Sequence, residues 1–418
     1  MLKTRPREIK AVLTMACAAF FLIFGYEIVR STSYAIFKDY YGKDNLPFIL
    51  ACLPIFLIPT LICYEKLLKN YGPRKTLCSI SVFSGIVIFI SAYFLNHGSK
   101  IACIVIFLFR EVYSVVILEQ YWSFINSVLV AKQAKSYNGI VLCISSFGAI
   151  CGGLLLSGFC KEFGAYTLLY VTAFSCFIAA LISDFAYKQV PDIKPKNKKE
   201  KGQAKDLFAL SLFKEHRILK IILFMIVASQ VYCTVINLNF QGYLQDEYPN
   251  IDEQAAISGL CFAILNVVSV FFQLVISPIL LKRVPLSYVH IGIPFVHLVM
   301  ISLCVFYQQF WSAALCFMTF KTLDYSLFRA AKEILYIPLP FDARFRAKEF
   351  IDVFGFRFTK SGSSFAISIA TKLGIVFSGL VFAYVGIFAA ASWFYMIYIF
   401  SKSYVKALKP SLAVKVKA

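Results

Sequence analysis

The chain of 418 residues is 60% hydrophobic, 17% aromatic and only 15% charged, an apolar share above that of soluble globular domains. This excludes an ordinary soluble enzyme and fits a bilayer, where crossing about 30 Å of hydrocarbon takes roughly 20 apolar residues and no lipid-exposed backbone group stays unpaired. The net charge of +20 does not indicate nucleic acid, because most basic residues lie between apolar runs and at the two ends, where charge sets topology.

The runs are long and continuous rather than short and alternating, so helices are expected and a barrel is not. In chain order they cover 9–29, 46–64, 76–95, 101–128, 139–159, 165–187, 218–240, 256–281, 288–307, 309–328, 353–372 and 374–400. The expected fold is all-α and polytopic, twelve transmembrane helices in two six-helix halves. The first run follows Lys3, Arg5, Arg7 and Lys10; it is long enough to span and is read as retained rather than as a cleaved signal peptide. Expected domains are an N-terminal half (1–187), a basic cytoplasmic linker (188–217), a C-terminal half (218–400) and a basic cytoplasmic tail (401–418). The linker carries nine Lys or Arg against four Asp or Glu, and its Lys and Pro content reads as a mobile segment.

Charge between the runs alternates in sign. One side collects Lys66, Lys69, Arg74, Lys75, Lys132, Lys135, the linker, Lys282, Arg283, Arg344, Arg346 and Lys348; the other carries the acidic "QDEYPNIDEQ" at 245–254. Positive charge stays inside, so both termini are expected in the cytoplasm. With an offset of 216 residues, Ala131, Lys132, Gly139 and Ser145 fall on Ala347, Lys348, Gly355 and Ser361, which suits a parallel repeat. "LLKNYGPRKTL" is similar to the tight turn between helices two and three of major facilitator transporters; a plain basic turn accounts for it equally well. Thirteen cysteines stand singly with no C-x-x-C and read as small packing residues, so no metal site is expected. "GAICGG" at 148–153 reads as a close helix approach. Pro54, Pro59, Pro278 and Pro294 are expected to kink helices, and His290 and His297 to pack.

A charge at the bilayer centre costs roughly 2.5–3.5 kcal/mol on insertion scales, so intramembrane charges face a partner or a water-filled path. Glu27 and Arg30 at the end of the first run are either a structural pair or pathway residues, and so are Lys321 and Asp324. Arg329 and Glu333 have the spacing of a surface pair. Arg110 and Glu111 are adjacent and point about 100° apart, so they are not expected to pair, and at least one should face the pathway. Arg357 and Lys360 put like charges on one face of a continuous helix; an anion relieves the repulsion, and phosphate suits an Arg fork beside a Lys ammonium. Snorkelling to the interface is the alternative. Asn237 and Gln241 line a cavity or bond neighbouring helices. "TKSG" at 359–362 lacks the spacing and strand of a phosphate-binding loop, and no histidine has a carboxylate partner for catalysis, so neither a catalytic residue nor a cofactor is expected.

The segment "SLFRAAKEILYIPLPFDARFRAKEFIDVFGFRFTKSGSS" (326–364) resembles nucleotide transporters of plastids and obligate intracellular bacteria, the non-mitochondrial ATP/ADP translocases, through "AKE", "YIPL", "ID" and "KSG" in order. Weaker matches are "SVV" (114–116), the Trp122–Asn126 run, "AKSY" (134–137) and "AISG". The resemblance implies a major-facilitator-like fold that exchanges ATP for ADP, and it puts one required intramembrane Lys on Lys360. Arg30 fits the family pattern in the first helix, while Ser31, Ser33 and Tyr34 replace family charges. Arg110 stands where the family has Glu, Asn237 where it has Glu, and Gln241 where it has Lys.

The expected protein is a secondary transporter of ATP/ADP or a related nucleotide or phosphorylated metabolite, working by alternating access and exchange. A proton-coupled carrier of another metabolite, with Glu111 and Glu119 as proton sites, is the alternative. Expected substrate contacts are Arg30, Arg110, Glu111, Asn126, Asn237, Gln241, Arg357 and Lys360; expected gate or ion-pair residues are Lys321, Asp324, Arg329, Lys332 and Glu333. The expected partners are a small anionic substrate and the lipid bilayer, with no nucleic acid, for a monomer in a bacterial inner membrane.

Overall fold

The structure, a computed structural model, describes residues 6–129, 131–190, 210–337, 339–340 and 347–415. The described part of the linker ends at Val190 and resumes at Leu210; linker residues 191–209, together with Arg344 and Arg346, lie outside the described residues. Every regular element among the described residues is helical. Nine of these helices are long and apolar enough to cross a membrane. Their outer faces expose large apolar side chains, including Ile55, Ile101, Leu181 and Phe388. Water would reject such a surface and lipid accepts it, so the chain is a multi-pass membrane protein.

Two compact units emerge. One holds the described residues of Met1–Lys199 with Leu244–Val267; the other holds those of Glu200–Tyr243 and Val268–Ala418.

In the first unit, α1 (Pro6–Tyr41), α2 (Leu46–Asn96), α3 (Lys100–Val128), α4 (Ala131–Phe163) and α5 (Ala165–Gln189) pack together. Helix α1 runs well past the apolar stretch read from sequence, so Glu27 and Arg30 stand inside it and not at its end. Glu8 in its first turn and Lys38 in its last suit the helix dipole. The loop expected at 65–75 shrinks to one break in α2: Gly72 takes φ 75°, ψ 168° before Pro73, a backbone that glycine alone adopts readily. Helix α3 is capped by Ser99, whose Oγ accepts from Ala102 N at 3.3 Å.

The "GAICGG" stretch does bring helices close. A Cβ at Gly148 or Gly152 would run into the backbone oxygen of Phe20 or Phe24 on α1, and one at Gly153 would stand 2.6 Å from Gly259 O.

The acidic stretch 245–254 ties itself to this unit. Lys43 pairs with Asp246 at 2.5 Å and Lys161 with Glu253 at 2.9 Å. Asp252 Oδ1 accepts from Ala165 N at 2.6 Å, capping α5 where Gly164 turns the chain at φ 82°. These carboxylates, read from sequence as exterior topology markers, also hold α8 (Ile251–Phe271) against the unit.

The second unit is wound differently. After α6 (Leu210–Glu215) and α7 (Arg217–Glu247), most of it in this unit, α8 passes through a π turn, Phe272–Ile276, into α9 (Ser277–Arg283). Pro278 lies in the first turn of α9, where the wider turn accommodates its missing N–H. Next come α10 (Leu286–Phe306) and α11 (Phe310–Leu323), then a π turn, Asp324–Phe328, and α12 (Arg329–Leu335). A further run holds α13 (Lys348–Phe350), an eight-residue π segment Ile351–Phe358, and α14 (Thr359–Lys372). The last helix, α15 (Gly379–Lys415), continues through most of the stretch expected as a tail. His297 packs as expected, with ring centroids 5.2 Å from Tyr232, 5.1 Å from Phe320 and 5.6 Å from Trp393.

Candidate functional site

In the first unit the intramembrane charges gather on α1. Glu27 and Arg30, one turn apart, pair directly. The Arg30 guanidinium lies 3.4 Å from the ring centroid of Phe262 and 5.4 Å from that of Tyr26, so a cation, its counterion and two aromatic faces share one spot. Arg110 of α3 is completely buried. Its Nη1 donates to Arg30 O at 2.7 Å and to Ser33 Oγ at 2.5 Å, and its guanidinium carbon is 4.0 Å from the ring centroids of both Tyr34 and Phe107.

Arg110 therefore grips the backbone of the turn that carries Arg30. Its charge is balanced in part by Glu111, whose Oε1 is 3.6 Å from Arg110 Nε. That corrects the expectation that the adjacent residues could not pair: the long Arg side chain folds back far enough to cover the angle between them.

Asn126 lies elsewhere. It is exposed in the last turn of α3, sixteen residues after Arg110, about 24 Å along a helix axis at 1.5 Å per residue.

In the second unit, Asn237 and Gln241 are buried one turn apart on α7. Cys233, one turn earlier on the same stripe, accepts from Lys321 Nζ at 3.3 Å. Lys321 is also within 6 Å of three ring centroids, Phe317, Phe320 and Tyr325. Lys321 and Asp324 do not form the close pair considered for them, since Asp324 opens the π turn and its Oδ2 lies 3.9 Å from Arg329.

The expected Arg329–Glu333 pair is not formed either. Glu333 bonds Lys348 at 2.6 Å, and Lys332, itself buried, bonds Asp352 Oδ1 at 2.8 Å while standing 3.8 Å from Glu333. Both residues lie on the regular α12, so competing partners account for the exchange: across the π turn Asp324, five residues earlier, stands 3.9 Å from Arg329, and the start of the following helical run supplies Lys348 to Glu333 and Asp352 to Lys332.

Arg357 and Lys360 stand on that same run, both partly buried. The run is continuous, as their shared face requires, but Arg357 is the second-last residue of the π segment and Lys360 the second of α14. The wider winding separates them more than an all-α helix would. Among the described residues, no carboxylate stands within 4.0 Å of Lys360.

Sequence reading passed over Lys38, whose side chain is completely buried near the end of α1. Its signal was present: eleven residues, three turns, after Glu27 puts it on the same face. The roles of Asp352 and Ser33 had no signal, because each depends on a partner from another helix.

Such a bundle, with buried cations on interior helix faces and apolar outer faces, is the build of a membrane carrier. The Major Facilitator Superfamily model matches residues 15–328, three quarters of the chain, and the chain belongs to that superfamily. The TLC ATP/ADP transporter model matches residues 313–404, the part where the sequence resembles nucleotide transporters.

Among individual relatives, the ADP,ATP carrier protein 1 of Chlamydia trachomatis is 23% identical over 85% of this chain and 81% of its own length. The ADP,ATP carrier protein 3 of Rickettsia prowazekii is 21% identical over 66% of this chain and 64% of its own. Of solved structures, a mutant of the nucleoside transporter NupG matches with a TM-score of 0.72 at 13% identity, covering 93% of this chain and 98% of that one. The POT family transporter PepTSo matches at 0.67 and 13%, covering 96% and 99%. At such identities these structures speak for the fold alone.

Proposed function

We propose that the protein is a secondary transporter of ATP, ADP or a closely related nucleotide, working by alternating access and exchange. The observation that carries this reading is the TLC ATP/ADP transporter match over 313–404, a stretch that holds Arg357 and Lys360, two basic residues suited to a phosphate.

Arg30, Arg357 and Lys360 act as phosphate contacts. Arg30 is occupied by Glu27 in this structure, so an arriving phosphate displaces a carboxylate rather than filling an empty place. Such an exchange of anions limits the net cost of desolvation. Arg110 and Glu111 serve the site by fixing the turn that carries Arg30. Asn237, Gln241 and Lys321 supply polar contacts on α7 and α11, and Asn126 takes part near the helix end. The Lys332–Asp352 and Glu333–Lys348 pairs, with Asp324 and Arg329 beside them, form a charge cluster that opens and closes with the transport cycle.

Counting α2 as two crossings at Gly72, and each run interrupted by a π turn as one, gives twelve crossings. Both termini then lie on the basic, cytoplasmic side of a bacterial inner membrane, in a protein that works as a monomer.

The experiment is uptake of radiolabelled nucleotides by intact bacterial cells that express the chain, with and without an uncoupler. Uptake of a nucleotide that resists the uncoupler supports exchange. Uptake that collapses with the uncoupler favours a proton-coupled carrier, and no nucleotide uptake by inserted protein would overturn the reading.

A further inference from the structure

We infer that a cavity at the break in α2 binds the headgroup of an anionic phospholipid. The cavity, about 450 Å³, is lined by Leu67, Tyr71, Arg74, Lys75, Thr76, Cys78 and Ser79 from α2 and by Asp184 from α5. It owes its place to Gly72: the turn at φ 75° swings the following half of the helix aside, and Thr76 Oγ donates to Gly72 O at 2.7 Å across the break.

Charge here is lopsided. Asp184 is shared, its Oδ1 2.7 Å from Arg74 Nε and its Oδ2 2.7 Å from Lys188 Nζ. Among the described residues, no carboxylate lies within 4.0 Å of Lys75. Three cations thus face one carboxylate, and on the preceding turns of α2 exposed Lys66 and Lys69 stand against exposed Glu65. Because Asp184 engages Arg74 through Nε, the two terminal guanidinium nitrogens offer the fork geometry that phosphate accepts.

The apolar surroundings select a lipid over free phosphate. Leu67 and Tyr71 are exposed at the mouth. From Ser79, the helix carries Val82, Phe83 and Ile86 at three-, four- and seven-residue spacing, 39%, 58% and 43% exposed. That is one face of the helix, a strip leading from the cavity into the hydrocarbon along which an acyl chain can lie. A basic cluster at the end of membrane-spanning helices, beside an apolar strip, is the arrangement that recruits anionic headgroups.

The test is native mass spectrometry of the detergent-solubilised full chain titrated with phosphatidylglycerol or with phosphatidylcholine of the same acyl chains. The expected result is one retained phosphatidylglycerol and much weaker retention of phosphatidylcholine. Lys75→Gln, which removes no ion pair, should weaken phosphatidylglycerol retention about fivefold, the effect of one basic residue at an anionic surface. Arg74→Gln should weaken it further. Equal retention of the two lipids, or unchanged retention in both variants at an unchanged unfolding temperature, would overturn the inference. Displacement by millimolar inorganic phosphate would also overturn it, by showing a site for the free anion instead of the lipid.

Discussion

Helix α1 and the run from Phe310 to Lys372 both carry charges that a bilayer disfavours, and they handle them in opposite ways. Helix α1 is regular from Pro6 to Tyr41, and its cation is locked from several sides: Glu27 pairs with Arg30, Phe262 stacks on it, and Arg110 holds its carbonyl. The later run is wound as π at Asp324–Phe328 and again at Ile351–Phe358. Its cations sit beside irregular backbone, with ion pairs that are half-exposed on their acidic side, such as Lys332 with Asp352 at 38% exposure. A π turn holds fewer well-matched contacts than an α turn and recurs at functional sites. The contrast is between a charge held on a regular helix in the first unit and charges set beside π-wound backbone in the second.

Arg110→Ala breaks the regular side of this comparison most severely. It removes a fully buried guanidinium with two hydrogen bonds and leaves a cavity, so a loss of about 3 kcal/mol or more is expected, read as a lower unfolding temperature in detergent. Arg110→Lys should recover only part of it, because an ammonium cannot stack and fork as the guanidinium does. An unfolding temperature equal to that of the wild type would mean that Arg110 does not hold α1.

On the π-wound side, Lys360→Ala should keep its fold and lose transport. Removing one charge-assisted bond to a phosphate is worth roughly 1.5–3 kcal/mol, a fall in uptake of about ten- to a hundredfold. Arg357→Ala should behave alike. Loss of insertion along with transport would assign both residues to packing.

Gly152→Ala sharpens the account of α1 from its other face. The new Cβ meets the backbone oxygen of Phe24, and relieving that overlap should cost about 1–3 kcal/mol, again seen in the unfolding temperature. Smallest is Asp352→Asn. Lys332 is buried and Asp352 38% exposed; the Asn keeps an oxygen that can accept from Lys332, which also stands 3.8 Å from Glu333, so the exchange of a charge-assisted bond for a neutral one should cost about 1 kcal/mol. Its expected effect is on the rate of the transport cycle, measured as a change in initial uptake at unaltered substrate affinity.

Much of this organisation was legible because hydrophobicity over a span is a strong signal. Apolar runs located the nine helices that are long and apolar enough to cross a membrane, and the spacing of Gly148 and Gly152 announced a close approach that the backbone of Phe20 and Phe24 then explains. Helix ends were less legible: α1 continues through Ser31, Thr32 and Ser33, whose polarity masked them, although the hydroxyls of Thr32 and Ser33 bond back to their own helix. Partner choice was least legible. Arg329 and Glu333 have the spacing of a pair, yet Glu333 is taken by Lys348 and Arg329 stands 3.9 Å from Asp324 across a π turn, which has no reliable sequence mark. Likewise, nothing local to Asp252 says that it caps α5.

The most direct measurement uses purified protein in liposomes loaded with unlabelled ADP, following the entry of labelled ATP. The account predicts entry well above that of protein-free liposomes, accelerated by the internal ADP, and lost with Lys360→Ala while the unfolding temperature stays unchanged. Folded protein that admits no ATP whatever nucleotide is inside, or that admits it equally well without Lys360, would contradict it.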